Sequence, residues 1–151
     1  MGRIEAVCIS EKKGTPKKDV GEAVFIRDQG AEHDAHAGSE RQVSLLSYEK
    51  VRSFESEFNK DKEGSEVLDI PAGAFGENLL VSGIKVEELP LGTILCCGEV
   101  MLEVMQIGKK CHDGCTITRT TGKCIMPKSG VFARVIRGGI IKNKDEISIK
   151  R

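Results

Sequence analysis

The sequence predicts a mainly β protein, a barrel or a sandwich, with one principal short helix. Three observations carry that reading. Apolar residues alternate with polar ones across at least six segments, the period-2 signature of half-buried strands. Polar, glycine-containing stretches separate those segments, as turns between strands require. Helical spacing occurs in one stretch only, residues 48–58. Many short strands with a single good helix suit a closed or two-layered β architecture. The 151 residues suit a single domain, 1–151, and a domain of that size buries roughly 70% of the surface its unfolded chain exposes.

The elements follow in order. Residues 4–9 open the chain as a strand, Ile4, Ala6 and Cys8 alternating with Glu5, Val7 and Ile9. Residues 12–18 form a basic loop broken by Gly14 and Pro16, and residues 23–26 are a short buried strand. Residues 28–39, DQGAEHDAHAGS, are polar and glycine-rich and read as a loop; residues 42–46 return to strand. Tyr48, Val51, Phe54 and Phe58 share one helical face, with Ser47 as N-cap, and residues 59–64 end the helix, which is expected to cover an open part of the sheet. Residues 71–78, PAGAFGEN, are a second glycine-rich loop, followed by a short strand at 79–81. Leu89, Pro90, Leu91 and Gly92 turn the chain into strands at 93–97 and 99–107, with Gly98 between them; Val100, Leu102 and Val104 form one face of the second, opposite Glu103. A strand at 131–136, a turn at Arg137, Gly138 and Gly139, and a last strand holding Ile147 and Ile149 complete the chain.

Charge balances at 23 basic and 23 acidic residues, so global electrostatics point to neither nucleic acid nor a membrane surface. Tyr48, five phenylalanines and no tryptophan make a poor base-stacking surface. No stretch reaches the roughly 18 apolar residues of a membrane span, and the first ten residues lack a signal-peptide core. A cytoplasmic location with reduced cysteines is expected rather than a disulfide framework. The charge is uneven, however. Residues 55–69 carry six acids against Lys60 and Lys62, while residues 108–128 carry Lys109, Lys110, Arg119, Lys123 and Lys128 against Asp113 alone, where an anionic ligand would settle.

That basic stretch holds three of the six cysteines, Cys111, Cys115 and Cys124, among breaking glycines at 108, 114 and 122. Lys109, Lys110 and His112 flank Cys111, and adjacent cations favour the thiolate, which is both nucleophile and metal ligand. Cys111 is therefore the leading candidate for the working atom, with Cys115 and Cys124 as supporting thiols. Cys115 can act as a resolving thiol four residues away. A zinc site from Cys111, Cys115, Cys124 and His112 is the competing reading, although the second half of a usual zinc pattern is missing. Cys8, Cys96 and Cys97 sit in apolar strands as core residues. His33 and His36 in the first polar loop suit contact with an anionic ligand, or a metal pair. Arg41 suits a bidentate phosphate contact or a surface ion pair. In the second loop Asn78 offers an amide, Phe75 reads as core, and Glu77 reads equally as a brace or as site chemistry. Loops 28–39, 71–78 and 108–128 are expected to converge on one mouth. No G-x-G-x-x-G, G-x-x-x-x-G-K-[ST], G-x-S-x-G or C-x-x-C pattern occurs.

Read together, the segments GTPKKDVGEAVFIRDQGAEHDAHAGSERQVSLLS, GAFGENLLVSGI, LPLGTILCCGEVMLEVMQIGKKCH and GVFARVIRGGIIKNKDEI resemble the MOSC domain, named for the C-terminal domain of molybdenum-cofactor sulfurases. The resemblance covers nearly the whole chain. It is nearest to the small stand-alone members found especially in bacteria, which share the GKxCHxxC and CxMP pattern present here at 108–115 and 124–127. It implies a β-barrel, and it aligns Cys111 with the family's characteristic cysteine, proposed there to carry sulfur as a persulfide or to contact the molybdenum of a bound molybdopterin. The cofactor-binding set is then His36, Arg41, Asn78, Lys109, Lys110, His112 and Arg134. The desulfurase domain of the full sulfurases is not seen, so pyridoxal phosphate is not expected on this chain; sulfur would come from a partner cysteine desulfurase, with a molybdoenzyme as acceptor. The functions weighed are sulfur carriage or cofactor binding in maturation, a zinc-stabilised adaptor, and a small molybdenum-dependent oxidoreductase component.

Overall fold

A computed structural model describes residues 2–12, 17–35, 37–38, 42–61, 63–64, 67, 69–108 and 130–150. The strands are β1 (Gly2–Ile9), β2 (Lys18–Asp19), β3 (Glu22–Ile26), β4 (Gly30–Ala31), β5 (Val43–Ser47), β6 (Leu79–Ser82), β7 (Ile94–Cys97), β8 (Val100–Ile107), β9 (Val131–Arg137), β10 (Gly139–Lys142) and β11 (Glu146–Ile149). One helix, α1 (Tyr48–Asn59), and a 3-10 turn, Val86–Glu88, accompany them. Seven strands close into a barrel in the order β1, β11, β7, β8, β9, β5, β6 and back to β1. Closure rests on Gly2 against Ile147 and Arg3 against Glu146. Every neighbouring pair around the barrel is antiparallel except β5 and β6, which run parallel. Parallel neighbours need a crossover, and α1 supplies it.

Two apolar clusters divide the interior from the outside. Ile4, Val7, Leu45, Val81, Leu102, Val104 and Val135 belong to the cluster that fills the barrel. Leu46, Leu80, Phe132 and Val51 belong to the second, which lies on the outer face beneath α1. The helix covers this face as expected: Ser47 caps it by accepting from the Lys50 amide at 3.3 Å, and Phe54 meets Phe75 edge-on with centroids 5.5 Å apart.

The first strand departs from simple alternation. A register shift between Ile4 and Ala6 places Ile4 and Val7 in the barrel core, and Ala6 and Cys8 in the outer cluster. A bulge adds one residue and so exchanges the faces beyond it, which the sequence pattern does not announce. β8 carries two further shifts, between Met101 and Leu102 and between Val104 and Gln106; at the latter Met105 is exposed while Ile107 again packs on the core.

Three strands correct the sequence expectations. The turn at 137–139 is immediately followed by β10, which pairs with β3 and presents Ile141 beside Phe25 to the barrel core. The polar loop 28–39 contains β4, whose Ala31 is fully buried. Lys18, at the end of the basic loop, and Asp19 pair with the end of β1. These elements are too short for a periodic signal, and their pairing partners are distant in sequence. No helix among the described residues is long and apolar enough to cross a membrane.

Candidate functional site

The polar loops are tied to the barrel by side chains buried among backbone groups. Asn78 precedes β6 and is almost fully buried. Its Oδ1 accepts from the Ser44 amide at 3.0 Å, and its Nδ2 donates to the Cys8 carbonyl at 3.0 Å. It thereby cross-braces β1, β5 and the root of loop 71–78. The Glu77 carboxylate turns back into that loop, accepting from the Gly73 amide at 2.9 Å and the Phe75 amide at 3.2 Å. This settles the position of Glu77 as a loop brace. Desolvation pushes its carboxyl above the ordinary range, opposed by those backbone N–H groups and by Lys17.

Loop 71–78 then meets the chain entering β2. The Lys17 amide donates to the Gly73 carbonyl at 2.9 Å. Gly73 has φ +88 and lies so close to the Lys17 carbonyl that a Cβ would collide with it, so glycine is required on both counts. The Lys17 side chain reaches the first polar loop, its Nζ lying 2.7 Å from Asp34 Oδ1, with 1% and 0% of the two side chains exposed. Asp34 Oδ1 also accepts from the Ser10 amide at 3.0 Å, and the Ser10 carbonyl accepts from the Ala35 amide at 2.7 Å. Two of the three loops, 28–35 and 71–78, are thus joined through Lys17.

The third loop is represented by its roots. Gly108 donates to the Gly130 carbonyl at 2.6 Å where β8 and β9 end. Leu45 pairs with Leu79 on one side and Val131 on the other. From that level Asn78 lies toward Ser44, whereas Gly130 lies toward Leu46 and the entry to α1. The roots are therefore offset along β5 by two residues (46 − 44), roughly 7 Å. Residues 109–129 lie outside the described residues, and with them Lys109, Lys110, Cys111, His112, Cys115 and Cys124. His36 and Arg41 lie outside them too.

Arg134 points outward from β9 and pairs with Glu103 on β8 at 2.7 Å. His33 stands exposed at φ 69 with Glu32 3.0 Å away. Cys8 and Cys97 are buried core residues, as expected, whereas Cys96, on the opposite face of β7 from Cys97, is only half-buried and belongs to neither cluster. Burial, followed by the nearby charges of Glu77 and Asp19, raises the Cys8 thiol far above its ordinary value. Burial and Asp145 push Cys97 up to about 12. Both are held as neutral thiols, without nucleophilic or ligand character. Among the described residues no group of three or more His, Cys, Asp or Glu side chains is placed to hold a metal. The residue that sequence reading passes over is Lys17. It shares its run with Lys12 and Lys18, both exposed, and nothing local distinguishes it.

The family model of the MOSC domain matches residues 32–148, spanning the barrel from β5 to β11 and the cysteine-bearing stretch between β8 and β9. The chain belongs to the MOSC domain family. A sequence comparison with curated proteins returns no match. Among solved structures, YuaD from Bacillus subtilis superposes with a TM-score of 0.76 at 19% identity, over 97% of this chain and 94% of that one. YiiM from Geobacillus stearothermophilus gives 0.73 at 20% identity, over 100% of this chain and 76% of that one. YiiM from Escherichia coli gives 0.67 at 22% identity, over 99% and 70%. At these identities the likeness establishes the fold alone.

The MOSC family is associated with molybdenum-cofactor biology. The described polar side chains around Asn78 fit such a group poorly as direct ligands, because Asn78, Glu77, Lys17 and Asp34 all have hydrogen-bond partners inside the fold. The donor chemistry that fits is in the 108–128 stretch, where thiols suit molybdenum or sulfane sulfur and lysines suit a phosphate.

Proposed function

We propose that this MOSC domain acts in molybdenum-cofactor maturation, binding a molybdopterin-type anionic cofactor or carrying sulfur for it through Cys111. The observation that carries the proposal is the position of Cys111, between Lys110 and His112, inside the family-matched range of a MOSC barrel. Lys109, Lys110 and His112 hold the thiol as thiolate. Arg41 and His36 contribute positive donors toward the cofactor phosphate from the first polar loop. Asn78 contributes indirectly, by bracing the strands from which the loops spring. For Arg134 the ion pair with Glu103 favours a part in fixing β8 to β9, next to the root of the cysteine stretch.

When bound, the cofactor supplies a molybdenum centre that takes soft sulfur ligands. In the carrier form of the reaction, the Cys111 thiolate attacks the outer sulfur of a persulfide on a partner cysteine desulfurase. The donor's S–S bond breaks, the donor cysteine leaves as a thiolate, and a new S–S bond forms on Cys111; no external oxidant or reductant is consumed. Delivery to the thiolate of an acceptor protein reverses the same exchange; placing that sulfur on the cofactor as sulfide would take two further electrons, from a thiol pair or other two-electron reductant of the acceptor system.

The test is the composition of protein purified from cells that make the cofactor. Pterin or sulfane sulfur in stoichiometric amount, lost in Cys111→Ser, is the expected result. Stoichiometric zinc with neither pterin nor sulfane sulfur would establish the zinc-stabilised adaptor instead. Reduction of an N-hydroxylated compound by cofactor-loaded protein and an electron donor would extend the role to that of an oxidoreductase component.

A further inference from the structure

We propose that loop 71–78 is a proton-operated latch: it is shut on the chain entering β2 while Glu77 carries a proton, and it opens locally, with the barrel intact, when Glu77 gives that proton up. The inference stands apart from the proposed function, since every group it uses lies among the described residues.

The loop is anchored at both ends and hangs in the middle on one acid. At its entrance α1 grips Ile70: Glu55 Oε2 accepts from the Ile70 amide at 2.6 Å, and Arg52 Nη2 donates to the Ile70 carbonyl at 2.8 Å. At its exit Asn78 is locked to Ser44 and Cys8. Between these anchors Gly73, at φ +88, and Gly76, at φ +86, give the backbone two pivots. Gly73 is also where the loop holds the chain entering β2, its carbonyl accepting from the Lys17 amide. The Gly73 amide is held from behind by Glu77, which takes the Phe75 amide as well. Moving the Glu77 side chain out therefore frees Gly73, and with it the tie to Lys17.

The same side chain is poorly placed to carry charge. Glu77 is 1% exposed. An ionised carboxylate offers about four acceptor positions, and the two loop amides fill only part of them. The charged and titratable groups around it are Cys8 of β1, Lys17 and Asp19 on the chain of β2, Asp34 beyond Lys17, and Arg52 and Glu55 at the loop entrance. Burial is the largest influence on the Glu77 carboxyl and raises it; the Gly73, Glu77 and Phe75 amides and, least of all, Lys17 pull it back. In the open loop water solvates the carboxylate, and the acid returns to its ordinary value of about 4.3. Between that value and the raised one, opening gains up to tenfold per pH unit, and above the raised value it levels off.

The experiment follows hydrogen exchange in the full chain from about pH 4 to about pH 8, each amide's rate being compared with its rate in an unstructured peptide. The Lys17 and Phe75 amides report the loop. The Val104 amide, which donates to the Thr93 carbonyl at 2.9 Å from a fully buried residue, reports the barrel. In the wild type, protection of Lys17 and Phe75 is expected to fall by up to tenfold per pH unit and then level off, staying at least tenfold below that of Val104 throughout. In Glu77→Gln, a neutral side chain of the same shape, loop protection is expected to stay flat. Flat protection in the wild type would overturn the latch. So would an equal fall in both proteins, or loop amides that exchange no faster than Val104. If Glu77→Gln does not fold, the wild type decides alone. The pH at which loop protection levels off must then match the titration of the Glu77 carboxyl carbon followed by NMR, and a mismatch overturns the proposal.

Discussion

Asn78 shows what a polar residue in a glycine loop is worth when its amide is spent indoors. Removing the side chain in Asn78→Ala leaves the Ser44 amide and the Cys8 carbonyl without their partner. Orphaning two buried backbone groups is expected to cost about 2–4 kcal/mol, read as a lower urea midpoint at unchanged slope. Glu77 behaves differently because it titrates. Its folded carboxyl is raised chiefly by burial, so the native chain holds this proton to higher pH than the unfolded chain does. Its contribution to stability is then greatest below the unfolded value of about 4.3, and it declines as pH rises toward the raised folded value. Thermal melts of Glu77→Gln and wild type across that window should diverge, the wild type losing stability that the variant keeps. Parallel pH profiles would refute the assignment. The sequence left Glu77 open between brace and chemistry because only the fold shows where a carboxylate between two loop glycines turns.

At the scale of elements, α1 is held by its cap and by the outer cluster rather than by intrinsic length. Ser47→Ala should cost about 1 kcal/mol through loss of the cap. Leu46→Ala should cost about 2–5 kcal/mol, because Leu46 is fully buried between the sheet and the helix. Both are measurable by chemical denaturation, and a Leu46→Ala variant as stable as wild type would contradict the two-cluster description. The helix, its cap and most strands were legible in the sequence, since Tyr48, Val51, Phe54 and Phe58 and the alternating strands carry strong periods. The bulges in β1 and β8 were not, because a bulge changes the face of a residue without changing the residue. Nor was β10, whose glycine-led start resembles a turn until Phe25 is seen opposite Gly139.

At the scale of the molecule, the barrel seals two thiols away from solvent. Cys8 and Cys97 are sealed in the two clusters and held protonated by burial. Cys111 stands in a stretch whose neighbours are lysine, histidine and glycine. Cys111 was singled out from local chemistry alone, and it lies outside the described residues. Contacts across the chain were illegible: Lys17 finds Asp34 and Gly73 only when the basic stretch meets loops 28–39 and 71–78. The family likeness of the ordered segments supplied the barrel, which alternation alone could not choose over a sandwich.

The most direct test of the account is the order in which the cysteines react. Reduced, folded protein is alkylated briefly at mildly acidic pH and digested, and the modified peptides are identified by mass. The account predicts that Cys111 is labelled first, that Cys8 and Cys97 remain unlabelled until the chain is unfolded, and that Cys111→Ser removes the early label. Equal protection of Cys111, Cys115 and Cys124, lifted together by a chelator, would mean a shared zinc and would contradict a working thiolate at Cys111.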